Sequence, residues 1–373
     1  MSAALCLEEA RLRFLLVATT RCPAIERLRG CVGGGVVTGH ALEAAESDDG
    51  RELLASLRRA VELAPQVVIV PAGLPATLFL ARHCAELPVR NLYPVSDESQ
   101  IETLHDKWEF ARLCHRLGVR SPRTWLVRSV DDVEAQVPPE GRWVVKPIAG
   151  HASVGVRIVG STAEARTLVA RISDAGLLPV LVQQLVEGDD LDVSVVADHG
   201  TVVAHREQRY EGDGRLTYLD RPDLAEMARV IVADMGLHGV FHFDGLRDAQ
   251  TDEMYMLECN PRMYASAHKS AYAGFNPVTV GMAVARSEPV APSPSGEITV
   301  LPPTWVARRL LARDTDGLDA ASREGLRAQL RNPVSTLLHL TELRYPRLAP
   351  WHVDERPTGW GEFDAAEGQA SAW

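Results

Sequence analysis

Residues 254–262 read Met254-Tyr255-Met256-Leu257-Glu258-Cys259-Asn260-Pro261-Arg262, and the placement of this stretch decides the fold. Its first seven residues predict a strand on which Glu258 and Asn260 project to the same side, because side chains alternate faces along a strand. Upstream, Val240 to Leu246 is a second apolar run, and the two form a hairpin if the chain turns around Ala249 to Thr251. Asp244 then comes roughly opposite Glu258, and opposed residues lie about 5 Å apart. Three oxygen donors converge there. Two carboxylates alone would repel each other and raise one pKa. A hard cation removes the conflict, and Mg²⁺ takes one or two carboxylates together with substrate phosphates. A solvated hairpin face, with Asn260 opening a turn at Pro261, fits the same spacing. Arg262 can clamp a phosphate or carboxylate bidentately, or sit in a surface ion pair.

Working outward, Arg142 to Pro147 and Val154 to Val159 predict two strands around the loop Ile148-Ala149-Gly150-His151-Ala152-Ser153. Lys146 ends an otherwise apolar strand and faces this small-residue loop. Such a pairing suits a nucleotide phosphate, with backbone N–H groups and a point charge; a lysine snorkelling at a strand end is the plainer alternative. No Gly-Lys-Ser/Thr follows a strand, so the loop is not a Walker A. Gln183-Gln184-Leu185-Val186-Glu187-Gly188 closes another strand, from Pro179 to Leu185, with groups able to meet a purine edge and ribose hydroxyls, or simply to turn. Strands are also expected at Asp192 to Ala197 and Thr201 to Arg206, and a helix at Leu224 to Met235. His238 and His242 read as structural residues.

The segment from Pro94 to Gly118 predicts helices. Ser99 to Glu102 and Asp106 to Glu109 both have capping-box spacing. Leu104, Trp108, Ala111 and Cys114 form an apolar stripe, and Gly118 is a C-terminal stop. Lys107 early in its helix is by default a surface lysine. Before this region, Leu12 to Thr19 and Gln66 to Pro71 predict buried strands around an amphipathic helix at Arg51 to Leu63, a βαβ unit. The glycines from Gly30 to Gly35 neither follow the first strand directly nor open a helix, so they read as a flexible connection rather than a dinucleotide loop. Residues Arg286 to Thr304 read as a Pro/Ser-rich linker, Ser322 to Leu330 and Pro333 to Leu343 as helices, and the acidic tail from Asp354 as poorly ordered.

Composition bounds the function. The chain has 373 residues, 39 basic against 50 acidic, for a net charge of −11. An acidic chain lacks the electrostatic footprint for nucleic acid or anionic membranes. The six cysteines have no C-x-x-C spacing, which predicts free thiols in a reducing cytoplasm. No export signal or membrane span is expected. No G-x-S-x-G elbow or H-E-x-x-H helix occurs, so serine hydrolases and zincins find no support.

Taken in order, these pieces resemble the ATP-grasp superfamily, nearest to its carbamoyl-phosphate-synthase-like branch. The matching elements are Asp106-Lys107, Gly118 to Pro122, Val144 to Pro147 with its loop, Val182 to Gly188, Phe243-Asp244, Glu258 to Arg262 and Gly274-Phe275. The resemblance implies a mixed α/β and α+β chain. An N-terminal βαβ, Rossmann-like pre-ATP-grasp domain would span 1–98. A two-subdomain ATP-grasp fold would span 99–290, with a lid-like part at 141–187, and a linker with a C-terminal helical portion and acidic tail would span 291–373. It further implies ATP between the two subdomains, with Lys107 and Lys146 on the phosphates and the 148–155 loop, including Gly150 and Ser153, closing over them. Gln184, Leu185 and Glu187 would read adenine and ribose. Asp244, Glu258 and Asn260 would hold Mg²⁺ or Mn²⁺, and Arg262 would steady the transferring phosphoryl group or the carboxylate.

The implied reaction joins a small-molecule carboxylate to an amine through an acyl phosphate, releasing ADP and phosphate, in a cytoplasmic enzyme that can dimerise. A carboxylate–thiol ligase, or a regulatory nucleotide-binding protein without turnover, is the alternative. Two features depart from the pattern. His151 and Ser153 interrupt the phosphate loop, and Tyr264, His268 and Lys269 follow Arg262, where they line an acceptor pocket or begin a buried helix.

Overall fold

Apolar alternation and amphipathic helices sort the chain into two units in a computed structural model, which describes residues 1–19, 22–36, 41–42, 47–150, 154–344, 359–360 and 363. Unit 1 comprises Met1–Ile101, Asp190–Asp244 and Asn260–His352; unit 2 comprises Glu102–Asp189, Gly245–Cys259 and Val353–Trp373. Their elements make the chain a mixed α/β protein.

In unit 1, strand β1 (Phe14–Ala18) pairs in parallel with β2 (Cys31–Val36) across helix α2 (Pro23–Glu26), after helix α1 (Ser2–Glu9). The N-terminal part departs from three expectations. The Gly30 to Gly35 stretch is not a flexible connection: Gly33, Gly34 and Gly35 lie opposite Leu15, Leu16 and Val17 in the ladder. Glycine has almost no strand propensity, so only the partner strand's hydrogen bonds make it extended. The run Gln66 to Pro71 forms no strand; Ile69 makes a single parallel bridge to Leu92. Nor is β1 buried on both faces, since Leu15 is 65% exposed. Helix α3 (Asp48–Leu63) buries Leu53, Leu54 and Val61, and the two leucines share a core cluster with Phe79 and Leu80 of helix α4 (Leu74–Arg82).

The larger sheet has the order β11-β10-β7-β8-β9-β12. Its strands are β7 (Gly188–Asp198), β8 (Thr201–Tyr210), β9 (Leu216–Leu219), β10 (Gly239–Asp248), β11 (Met254–Asn260) and β12 (Ile298–Val300). The β10–β11 hairpin forms as expected, turning between Asp248, whose N–H donates to the Glu253 carbonyl at 2.9 Å, and Glu253. The chain passes between the units at Asp244/Gly245 on β10 and at Cys259/Asn260 on β11. Strand β12 is a surprise inside the expected linker: it pairs antiparallel with β9, and Thr299 Oγ1 meets Thr217 Oγ1 at 3.0 Å. The fully buried Arg206 of β8 also holds this segment, donating to the Pro294 carbonyl at 2.9 Å.

Unit 2 is built on a four-stranded antiparallel sheet of order β3-β6-β4-β5. Its strands are β3 (Thr124–Val127), β4 (Trp143–Pro147), β5 (Arg157–Val159) and β6 (Val180–Gln184). Helix α5 (Glu98–His105) crosses from unit 1. It starts one residue before the expected cap at Ser99, where the Asp97 N–H donates to the Gln100 side chain at 2.9 Å. Helix α6 (Lys107–Leu117) is bounded as the sequence predicts. Asp106 accepts from the Trp108 and Glu109 N–H groups at 2.8 and 3.0 Å, and Gly118 ends the helix at φ 67°. Helices α7 (Val130–Gln136) and α8 (Thr162–Asp174) pack Val133, Ala165, Val169 and Ile172 onto Val127, Trp143, Val145, Val180 and Val182. The buried Trp143 indole N–H finds Thr162 Oγ1 at 2.9 Å. Helix α9 (Pro222–Met235) in unit 1 starts two residues before its predicted span and ends with it at Met235, followed there by α10 (Ala267–Tyr272), α11 (Pro277–Ala285), α12 (Pro303–Leu311), α13 (Ala320–Arg331) and α14 (Pro333–Arg344). No helix of the described residues is long and apolar enough to cross a membrane.

One close approach is testable. A Cβ added to Gly188 would lie 1.7 Å from the Arg247 carbonyl oxygen, a backbone atom that cannot swing aside. Gly188→Ala is expected to cost roughly 1–3 kcal/mol of unfolding free energy, the usual price of overpacking, measured by denaturant titration; an unchanged midpoint would contradict the approach.

Candidate active site

The nucleotide-side residues named from the sequence lie in unit 2. Cross-strand partners in an antiparallel ladder share a face, and the register sets Val144 beside Gln183 and Ile158, Lys146 beside Leu181, and Trp143 beside Gln184. Trp143, Val145, Val180 and Val182 take the face covered by α7 and α8. Val144, Lys146, Ile158, Leu181 and Gln183 therefore share the other face. Ile158, 62% exposed, lies on it within the same sheet as the buried Lys146. An apolar surface with a lysine beyond it is what a nucleotide base and its phosphates need. Gln183, buried and donating to Thr124 Oγ1 at 2.8 Å, belongs to this face; alternation gives the Gln184 side chain to the helix-covered side. The backbone at 184–185 is anchored, since the Gln184 and Leu185 N–H groups donate to the Arg123 and Arg142 carbonyls at 2.8 and 3.0 Å. Glu187 is engaged by Arg142.

Lys107 does not behave as an ordinary surface lysine. Its amide donates to the Ile148 carbonyl at 3.0 Å. Its ammonium donates to the Gly150 carbonyl at 2.8 Å and lies 3.3 Å from Glu258 Oε2 on β11. One residue thus holds the start of the 148–155 loop and one of the proposed cation ligands. His151 and Ser153 lie outside the described residues.

The other named residues gather in unit 1. Asn260 Nδ2 donates to Asp244 Oδ2 at 3.2 Å, and Arg262 donates to Asn260 Oδ1 at 3.3 Å. His242, two residues before Asp244 on β10, places Nε2 at 3.3 Å from Asp244 Oδ1 and 3.6 Å from Asp192 Oδ2 on β7. Its other nitrogen meets Ser194 Oγ at 2.8 Å, and its ring stacks on Tyr264 with centroids 4.7 Å apart. From sequence alone His242 reads as structural, and nothing local marks Asp192. Their convergence depends on β7 lying beside β10, a neighbour far off in sequence. Gln208 on β8, which donates to Asp192 Oδ2 and Ser266 Oγ at 3.3 Å, extends the same polar group.

Of the residues after Arg262, Tyr264 joins this cluster. Its buried hydroxyl donates to Ser270 Oγ at 2.8 Å, and burial pushes its phenol pKa up. His268 instead meets Ser2 Oγ at 2.7 Å, and Lys269 donates to the Gly214 carbonyl at 3.2 Å, its ammonium pKa lowered by burial. A second group, Asp198, His199 and His238, lies near the β7–β8 turn. Its imidazoles are stacked at 4.0 Å and 6°, in near-parallel planes that share no point where one ion could be bound in both rings' planes.

Residues 104–266 match the family model described as the ATP-grasp domain. The chain carries an ATP-grasp domain. The fold likeness extends further. N5-carboxyaminoimidazole synthetase from Staphylococcus aureus, complexed with ADP, superposes with a TM-score of 0.61 at 12% identity, covering 78% of this chain and 76% of that one. An L-amino acid ligase from Bacillus licheniformis gives 0.52 at 16%, covering 74% of each chain. Biotin carboxylase from Campylobacter jejuni gives 0.52 at 17%, covering 78% and 69%. At these identities the likeness is one of fold. No protein of curated function matches the sequence.

Asp244 and Asn260 of unit 1 carry hard side-chain oxygens, as does Glu258 of unit 2, the ligand type that suits Mg²⁺ or Mn²⁺. Asn260→Asp replaces the Nδ2 donor to Asp244 with a second carboxylate. In EDTA it is expected to lower stability by about 1 kcal/mol or more, with millimolar Mn²⁺ restoring the melting temperature. Equal loss with and without the cation would contradict a cation site here.

Proposed function

We propose that the protein is an ATP- and divalent-cation-dependent ligase that joins a small-molecule carboxylate to an amine. The observation that carries this reading is Lys107, whose ammonium bridges the Gly150 carbonyl at 2.8 Å and the Glu258 carboxylate at 3.3 Å, linking the loop after β4 to the strand of cation ligands. The ATP-grasp match and the ADP complex of the S. aureus fold neighbour support nucleotide use.

On this reading the face bearing Val144, Ile158 and Lys146 receives the nucleotide, its apolar residues against the base and Lys146 toward the phosphates. Lys107 and the loop backbone hold the phosphates in position, and the segment at Gln184, Leu185 and Glu187 borders base and ribose. Asp244, Glu258 and Asn260 would hold Mg²⁺, which would supply neutralisation of the phosphate charge. The carboxylate substrate attacks the γ-phosphorus and ADP leaves; the amine then attacks the acyl carbon, forming the C–N bond and releasing phosphate. Rate in such a transfer comes from positioning and from charge fixed where negative charge develops. No protein nucleophile is required. Arg262, held by Asn260, supplies a planar fork for the carboxylate or the phosphoryl group, and the polar cluster of Asp192, His242 and Tyr264 borders the acceptor.

Hydroxylamine trapping tests this directly. With Mg-ATP and pooled carboxylates the wild type is expected to form a hydroxamate. Lys146→Ala and Glu258→Gln are each expected to lower its rate by about 100-fold or more, as loss of one preorganised charge typically does, while far-UV circular dichroism is unchanged. Full turnover in both variants would remove these residues from the chemistry.

A further inference from the structure

The acidic C-terminal segment, expected to be loose, supplies two side chains to the core of unit 2. Trp360 is 4% exposed, and Phe363 is also buried; both belong to the cluster built on Trp143, Val145, Val180 and Val182. Their rings meet edge-on, with centroids 5.7 Å apart at 75°. Gly359 before them comes so close to Leu177 that an added Cβ would lie 2.8 Å from its Cδ2.

The indole reaches more than the core. A Cβ on Gly155, which closes the 148–155 loop at φ +74°, would lie 2.6 Å from Trp360 Cε3 and 2.8 Å from Pro147 Cγ. Pro147 ends β4 directly after Lys146, and Gly155 is where the loop returns toward β5. Trp360 therefore packs against the returning end of the loop, beside Pro147 at its start. Lys107 holds the start as well, through the Ile148 and Gly150 carbonyls. The described residues on either side of 151–153 are thus held in place, and preorganisation of this kind raises affinity by lowering the ordering cost of binding.

We propose that Trp360 is a positioning residue for the phosphate loop, so that the C-terminal segment sets how tightly the domain holds ATP. This rests on the nucleotide reading of the 148–155 loop given above. Removing the indole leaves Lys107, Lys146 and the cation ligands in place and takes away the aromatic contact at Gly155.

The test uses the full chain, with Mg-ATP titrated by calorimetry and amide hydrogen exchange read across 148–155 without nucleotide. Trp360→Ala is expected to weaken Mg-ATP binding by about tenfold and to speed exchange in the loop, with exchange in β7 and β8 of unit 1 unchanged. Trp360→Phe, which keeps an aromatic plane, is expected to fall between. If Trp360→Ala does not fold, Trp360→Leu carries the same measurements. Unchanged loop exchange in the folded variant would overturn the proposal whether or not ATP binds, as would wild-type affinity in that variant. Failure of the wild type to bind Mg-ATP would instead defeat the nucleotide reading, and the exchange comparison would still decide what Trp360 does to the loop.

Discussion

The ammonium of Lys107, shared between a loop carbonyl and a strand carboxylate, is the interaction on which the candidate site depends. Its position is set locally. Asp106 caps helix α6, so Lys107 stands in the first turn with its backbone amide free of the helix ladder and available to the Ile148 carbonyl. The side chain then reaches Gly150 and Glu258, neither near it in sequence. A lysine in the first turn is unfavourable to the helix dipole, and it is retained here where loop and strand both offer oxygen. On the proposed reading, phosphates would meet there a cation already aimed and partly desolvated, which is where a fixed charge is worth most.

The division of the four-stranded sheet into two chemical faces follows from alternation and nothing more. Trp143, Val145, Val180 and Val182 satisfy helices α7 and α8, and the same strands present Val144, Lys146 and Gln183 on the reverse. A strand that buries residues on both faces reads as nearly continuous apolar sequence. That is why Lys146 stands out within Trp-Val-Val-Lys-Pro.

Features with local causes were legible in the sequence: the β10–β11 hairpin with Glu258 and Asn260 on one side, the Asp106 cap, the Gly118 stop and the amphipathic stripe of α3. Features made by distant partners were not. The glycines of β2 extend only because β1 lies beside them, and β12 forms inside a Pro-rich stretch because β9 offers an open edge. His242 and Asp192 meet through the sheet order, and Trp360 finds a core some two hundred residues upstream. Each is a tertiary contact that overrides local propensity. The signal for Trp360 was an aromatic pair, Trp360 and Phe363, spaced three apart among the acids Glu362, Asp364 and Glu367.

On the proposed reading, nucleotide lies on the Lys146 face of unit 2 and not on the glycine-rich parallel strands near the N-terminus. Photolabelling with an azido-ATP, followed by peptide mapping with and without competing ATP, separates the two. Label protected by ATP and confined to peptides covering 143–159 or 180–187 is the predicted result. Protected label on residues 14–36 would contradict it.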